Sequence, residues 1–254
     1  MRSSPFAPLE ELIAPAPAPA RVAFLKGRPF AHRGLHGGRV VENSRAAFAA
    51  AVAAGHGIEL DVQASREGTA IVFHDATLDR LTGRPGALAD MSAAELAKSV
   101  LSGTGEGIAP LDEIVKLVGG RVPVLIEVKT RGRHVAALCL SVRRALEGYR
   151  GDAAVMSFNP QVARWFATHA PRIVRGLVIS EEGKRGVRGW AERWLSLWRA
   201  RPDFLAYDMR DLPSRFAAAA RARGLPVLTW TVRDAESEAR AFAHADEVIY
   251  EKTA

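Results

Sequence analysis

Cysteine is nearly absent from this chain. Cys139 stands alone among 254 residues, so no internal disulfide can form. Its helix-like setting, HVAALCLSVRRAL, predicts a buried and inert thiol. With no second thiol and no clustered histidines, nothing suggests a zinc site. No charged amino-terminal region is followed by a long apolar run, so neither a secretory signal nor a transmembrane span is expected, and a cytoplasmic location follows. Repeats of fixed period are missing too. No recognised nucleic-acid-binding module accompanies the basic charge, so no nucleic acid is expected as a partner.

What is present fits one α/β domain. The length suits a single α/β barrel, and 48% hydrophobic residues is ample for a core. Residues 1–28 form a Pro/Ala-rich arm (APAPAPA, Ala14 to Ala20), expected to lie on the surface or to be disordered, and residues 29–254 form the domain. Apolar runs of strand character lie near Pro29, Ile58, Ala70, Val124, Ala153, Val174, Phe204, Val227 and Glu247, alternating with Ala/Arg/Leu-rich helical stretches. That order predicts a parallel sheet covered by helices. Nine strands are one too many for an eight-stranded barrel. The second and third are separated only by SREG, too short for a parallel crossover, so they should form a hairpin. The expected fold is an irregular (β/α)8 TIM barrel with a short insertion, 84–110, after the third strand.

The chemistry gathers in two segments, AHRG (Ala31 to Gly34) and GIELDVQASREGTAIVFHD (Gly57 to Asp75). Alternation along a strand puts Glu59 and Asp61 on one face and Ile58, Leu60 and Val62 on the other. Two carboxylates side by side in an apolar setting are costly unless something positive lies between them. In VPVLIEVKT (Val122 to Thr130), Glu127 and Lys129 again share a face. Three oxygen ligands from two strands suit a hard divalent cation, Ca2+ or Mg2+. The competing reading is an ion-pair network in which Lys129 neutralises the acids. His32 and His74 each end an apolar strand run, the place where barrel enzymes keep their chemistry. Trp230 also ends a strand, either to floor a substrate pocket or to fill the core. Asn43 or Ser44 caps the first helix, and Glu42 is a candidate supporting group.

Taken in order, the motifs resemble a known family. They are His32-Arg33-Gly34, Glu42-Asn43-Ser44 with the helix RAAFAAAVAAG, Glu59-x-Asp61, the turn Glu67-Gly68, His74-Asp75, TLDRLTG, Glu127-x-Lys129, SFNP and TWTV. The set is similar to the glycerophosphodiester phosphodiesterases of the phospholipase-C-like group. Departures are Val41 in place of proline and Ser44 in place of threonine in Pro-Glu-Asn-Thr, and Tyr250-Glu251-Lys252-Thr253 in place of the closing Thr-Asp-x-Pro. No role is carried over to that terminus. The resemblance implies attack by the glycerol 2-hydroxyl, a cyclic phosphate, and its hydrolysis to glycerol 3-phosphate and an alcohol. In that chemistry Glu59, Asp61 and Glu127 would hold the cation, Arg33 and Lys129 the phosphate charge, Trp230 the glycerol, and His32 and His74 would divide acid and base duties. A related enzyme acting on lysophospholipids or sphingolipids is the alternative.

A net charge of +7 suits an anionic surface. From Lys184 to Arg201 there are six basic residues and one acid, with Trp190, Trp194 and Trp198 at four-residue spacing. On a helix these form a stripe, fit either to cover a barrel or to rest on anionic lipid as a peripheral contact. A non-catalytic lipid-binding protein is therefore the rival to an enzyme. The His, Arg, Glu, Asp and Lys set argues against it.

Overall fold

The structure is a computed structural model and describes residues 13–251 apart from 131 and 185. Residues 1–12 of the arm and 252–253 of the closing motif lie outside the described residues. Among the described residues there are two compact units, one of residues 30–153 with Glu251, the other of residues 13–29 with 154–250.

The first unit is built on β1 (Phe30–Ala31), β2 (Gly57–Ala64), β3 (Ala70–Val72) and β4 (Val124–Val128). β2 pairs in parallel with β1 and β4 and antiparallel with β3. The SREG turn makes the expected hairpin: Gly68 takes φ +88° and its N–H donates to the Ser65 carbonyl at 2.9 Å. Ile58, Leu60 and Val62 are fully buried. Gly57, opposite Phe30, leaves room for that ring, which would lie 2.5 Å from any Cβ placed there. Helix Arg45–Ala53 begins on Ser44, whose Oγ accepts from the Ala47 N–H at 3.1 Å, so Ser44 and not Asn43 is the cap. In helix Ala136–Ala145, Cys139 is fully buried, and burial pushes its thiol up to about 12. The 84–110 insertion carries helix Ala93–Ala97, opened by a Ser92–Glu95 capping box. Its Leu88, Leu96, Leu101 and Ile108 form a small core with Ile71, Phe73 and Leu78.

The second unit carries β5 (Ala153–Ser157), β6 (Val174–Ile179), β7 (Phe204–Asp208), β8 (Val227–Val232) and β9 (Glu247–Tyr250), each parallel to the next. Helices Pro160–His169, Val187–Ala200, Arg215–Ala222 and Ala235–His244 alternate with them. The SFNP motif has a local reason. Asn159 caps the helix by accepting from the Gln161 N–H at 3.1 Å, and Pro160 takes the first helical position, where a missing N–H costs nothing. From residue 13 the arm is anchored to this unit. Arg21 donates to the carbonyls of Pro171 at 2.8 Å and Ile173 at 3.1 Å and pairs with Asp203 at 3.0 Å, while Ala14, Val22 and Leu25 are buried. Each of the nine expected strands forms.

Candidate active site

The site is assembled by register in the first unit. β2 and β4 run parallel with Asp61 directly beside Glu127. Glu59 lies two residues earlier on the same face of β2. Ligand-capable oxygens of Glu59, Asp61 and Glu127 all fall within 4.8 Å of one another, and both Glu59 and Asp61 are almost wholly buried. Lys129, two residues beyond Glu127, places Nζ 2.9 Å from Glu127 Oε1 and 3.1 Å from Asp61 Oδ1. The expected ion-pair network is therefore real, but it is incomplete. Glu59 receives the Arg33 backbone N–H on Oε2 at 3.0 Å, whereas its buried Oε1 has no hydrogen-bond partner. A buried carboxylate oxygen without a donor is costly. The donor set is all carboxylate, the chemistry of a hard cation, and the cluster can hold a metal ion.

The charges sort accordingly. Burial, then repulsion from Asp61, pushes Glu59 up to about 8. Burial likewise raises Glu127, against the pull of Lys129. Asp61 is held below the usual carboxylate range because Lys129, Arg33 and a hydrogen bond from Asn43 outweigh its burial. Asn43 Nδ2 donates to Asp61 Oδ2 at 3.0 Å. Asn43 thus supports an acidic residue of the cluster, which its sequence position beside a helix start concealed.

The turn after β1 aims Arg33. Its φ of +56°, left-handed for a residue with a side chain, directs the backbone N–H at Glu59, while Nη1 donates to Glu42 Oε1 at 2.8 Å and Nε lies 3.3 Å from Asp61 Oδ2. Gly34 makes the turn possible, since a Cβ there would lie 2.8 Å from that of Ala47. Glu42 also accepts from Arg80 at 2.7 and 2.9 Å, and Arg80 Nε reaches Asp75 Oδ2 at 2.5 Å. Partly buried Glu42 is held low by Arg80 and Arg33 against the cost of its burial, and Asp75 is pulled down to about 2, chiefly by Arg80. Arg80 sits in TLDRLTG, a motif whose pattern carried no role by itself.

Both histidines have a carboxylate on Nδ1. His74 Nδ1 is 2.7 Å from Asp75 Oδ1, and His32 Nδ1 is 2.5 Å from Glu251 Oε1. An ionised carboxylate only accepts, so each Nδ1 carries the proton and each Nε2 is left for other work. Burial works against a charged His32, but Glu251 and then Glu59 outweigh it and hold the imidazole above its usual value. His74 returns toward the acids because β3 is antiparallel: Val72 pairs with Val62, and the Phe73 N–H donates to the Asp61 carbonyl at 3.1 Å. Gln63 fixes the segment beyond, with Nε2 reaching the carbonyls of Phe73, His74 and Asp75 at 3.1, 2.9 and 2.6 Å. Its signal was in the sequence: Gln63 continues the Glu59, Asp61 face by one more step of two.

Of the expected site residues, His32, Arg33, Glu59, Asp61, His74, Glu127 and Lys129 come together in the first unit. Trp230 belongs to the second unit, on β8. Its indole N–H donates to the Ala206 carbonyl at 3.1 Å, and its ring meets Phe158 edge-on at 5.6 Å.

Known proteins resemble this chain in sequence and in fold. Residues 32–250 match the model of the glycerophosphoryl diester phosphodiesterase family. The chain belongs to that family. With the family comes its class of activity, the hydrolysis of a phosphoric diester. A glycerophosphodiester phosphodiesterase of Caldanaerobacter subterraneus is 29% identical over 236 residues, covering 89% of this chain and 94% of its own. Among solved structures, an Oleispira antarctica phosphodiesterase in complex with the product sn-glycerol-3-phosphate aligns at a TM-score of 0.77 and 23% identity, over 89% of this chain and 93% of its own. A Thermotoga maritima glycerophosphodiester phosphodiesterase aligns at 0.71 and 25% identity, over 88% and 94%. The fold class is that of the family, α/β, a TIM barrel of parallel strands, with β3 as the added antiparallel strand.

Proposed function

We propose that this member of the family hydrolyses glycerophosphodiesters to glycerol 3-phosphate and an alcohol at the Glu59–Asp61–Glu127 cluster. The observation that carries the reading is the acidic triad with its unpartnered Glu59 oxygen, set among two histidine–carboxylate pairs. One divalent cation, Ca2+ or Mg2+, held by Glu59, Asp61 and Glu127, would supply Lewis-acid polarisation of a phosphate oxygen and of the attacking hydroxyl. Arg33 and Lys129 answer the remaining phosphate charge, Arg33 with a planar fork suited to two oxygens. One imidazole takes the proton of the glycerol 2-hydroxyl as its oxygen bonds to phosphorus. The other gives a proton to the alcohol oxygen as its bond to phosphorus breaks. Water then opens the cyclic phosphate, with the two imidazoles exchanging roles. Trp230, on β8 of the second unit, is proposed as the apolar surface for the glycerol carbons.

The test is a substrate panel with and without chelator: glycerophosphocholine, glycerophosphoethanolamine, glycerophosphoglycerol and the corresponding lyso-lipids. Release of glycerol 3-phosphate from the deacylated diesters, abolished by chelator, is expected. Turnover of lyso-lipids alone would replace this substrate class by the lysophospholipid alternative.

Glu251 is a positioning residue in this scheme. Replacing it by Gln removes the charge that holds Nδ1–H of His32 and raises its basicity. Turnover should fall on the order of tenfold, as for other groups that orient an active imidazole. The pH–rate limb belonging to His32 should also move to lower pH. Glu251→Asp, the carboxylate usual in the family, should restore much of the loss. An unshifted pH profile in Glu251→Gln would show the contact to be structural only.

A further inference from the structure

The tryptophan helix divides its stripe. In Val187–Ala200 the inward side is Gly189, Leu197 and Ala200, all buried. Trp194 packs on the core of the second unit, edge-on to Phe216 at 5.5 Å and under the Arg223 guanidinium at 5.9 Å. Arg193 also turns inward, to Glu181 at 3.3 Å. The outward side is apolar where a solvated helix would be polar: Val187 is 85% exposed, Trp190 50%, Trp198 47% and Leu195 45%. Exposed Arg188 and Arg199 flank this crest, with exposed Lys184 and Arg201 at its two ends. The helix's one acid, Glu192, is already paired with Lys184, and Glu182 just before it is paired with Arg210 at 2.9 Å.

Large aromatics left half in water on a helix are unusual for a covering element, whose apolar residues normally all face the core. Here an apolar crest about three turns long is bordered by Arg188, Arg199 and Arg201, whose guanidiniums have no acid partner among the described residues, while Lys184 is neutralised by Glu192. A second copy of this chain is a poor occupant, because a self-complementary contact would bring Arg188 and Arg199 against the same cations. A bilayer bearing anionic head groups answers both features at once: the indoles enter the interface, and the guanidiniums meet phosphate oxygens. We propose that the Val187–Ala200 face docks the protein on an anionic lipid bilayer. This goes beyond the substrate assignment and does not rest on it, since the docking is read without turnover.

The experiment uses the full chain and flotation with two kinds of vesicle, phosphatidylcholine alone and phosphatidylcholine containing phosphatidylglycerol. The protein should float with the anionic vesicles only, and less as salt rises, because the attraction is screened over about 10 Å at 0.1 M. Trp190→Ser with Trp198→Ser should abolish flotation. Arg188→Gln with Arg199→Gln should lower partitioning roughly 30-fold, at about fivefold for each cation near the surface. Both double variants should melt close to the parent and turn over a water-soluble diester at the parental rate. Three results would overturn the proposal. The first is a parent that ignores anionic vesicles. The second is a tryptophan double variant with a large fall in melting temperature, which would assign the side chains to packing. The third is a concentration-dependent dimer dispersed by the tryptophan changes, which would assign the face to a second copy.

Discussion

Glu59→Gln should abolish most turnover and yet make the metal-free protein more stable. Loss of activity follows from removing a charged ligand at nearly constant volume. It should exceed the roughly 10–100-fold cost of losing a group that merely supports a ligand, and Asp61→Asn and Glu127→Gln should behave alike. Activity should also vanish in excess EDTA and return with added cation; full turnover in EDTA would sink the assignment. The stability effect comes from linkage. Without a cation Glu59 is pushed from 4.5 up to about 8 by burial and by Asp61. The native state then keeps a proton that the unfolded chain has already released. Stability from this group is complete below about pH 4.5 and is lost as pH rises through about 8. Raised Glu127 and His32 act in the same direction. Depressed Asp61, Glu42 and Asp75 act oppositely, losing their contribution as the pH falls through their own low values. Melting curves in EDTA should therefore fall as pH is raised toward 9. Glu59→Gln should flatten that fall and melt above the parent at its alkaline end. With saturating cation the order should reverse, because only the parent has the full ligand set.

His32→Ala and His74→Ala should each lower turnover on the order of a hundredfold or more, within the usual range for a general acid or base. Cation affinity measured by calorimetry should be nearly unchanged, since neither imidazole belongs to the carboxylate cluster. Each variant should also lose one limb of the pH–rate profile, and the limb that disappears identifies the base or the acid. Near-normal turnover in either variant would remove that histidine from the mechanism. The Asp75 and Glu251 contacts make the expectation symmetrical: each ring is held through Nδ1, so each presents the same nitrogen for proton transfer.

Much of the site was readable because it depends on period two. Glu59, Asp61 and Gln63 fall on one face of β2 whatever the tertiary context, and Glu127 and Lys129 do the same on β4. The hairpin was equally legible, since four residues cannot span a parallel crossover. The helix cap was legible only as a pair. Asn43 and Ser44 both have the right chemistry, and the choice turned on Asp61 claiming the Asn43 amide. Glu251 was the least visible. It lies at the far end of the chain from His32, and its spacing carries no period that could link the two. Glu42 was legible as a supporting group, but its partner Arg80 was hidden for a similar reason: an arginine in a helical segment and a glutamate in a loop become a bridge only when the turn after β1 and the segment after β3 are folded together.

By itself the sequence determined the local pattern: strand alternation with apolar residues on one side and carboxylates on the other, one hairpin, a buried lone thiol and a helix with three tryptophans. These follow from side-chain direction and chain reach, which act over a few residues. Tertiary structure alone decided the pairings between distant segments. Parallel register set Asp61 beside Glu127, and chain closure gave Glu251 to His32. It also split the tryptophans, sending Trp194 inward and leaving Trp190 and Trp198 half exposed. Such pairings depend on which strand lies next to which and in what register, and local spacing does not encode the identity of a neighbour 66 residues away, as for Asp61 and Glu127, or 219 away, as for His32 and Glu251.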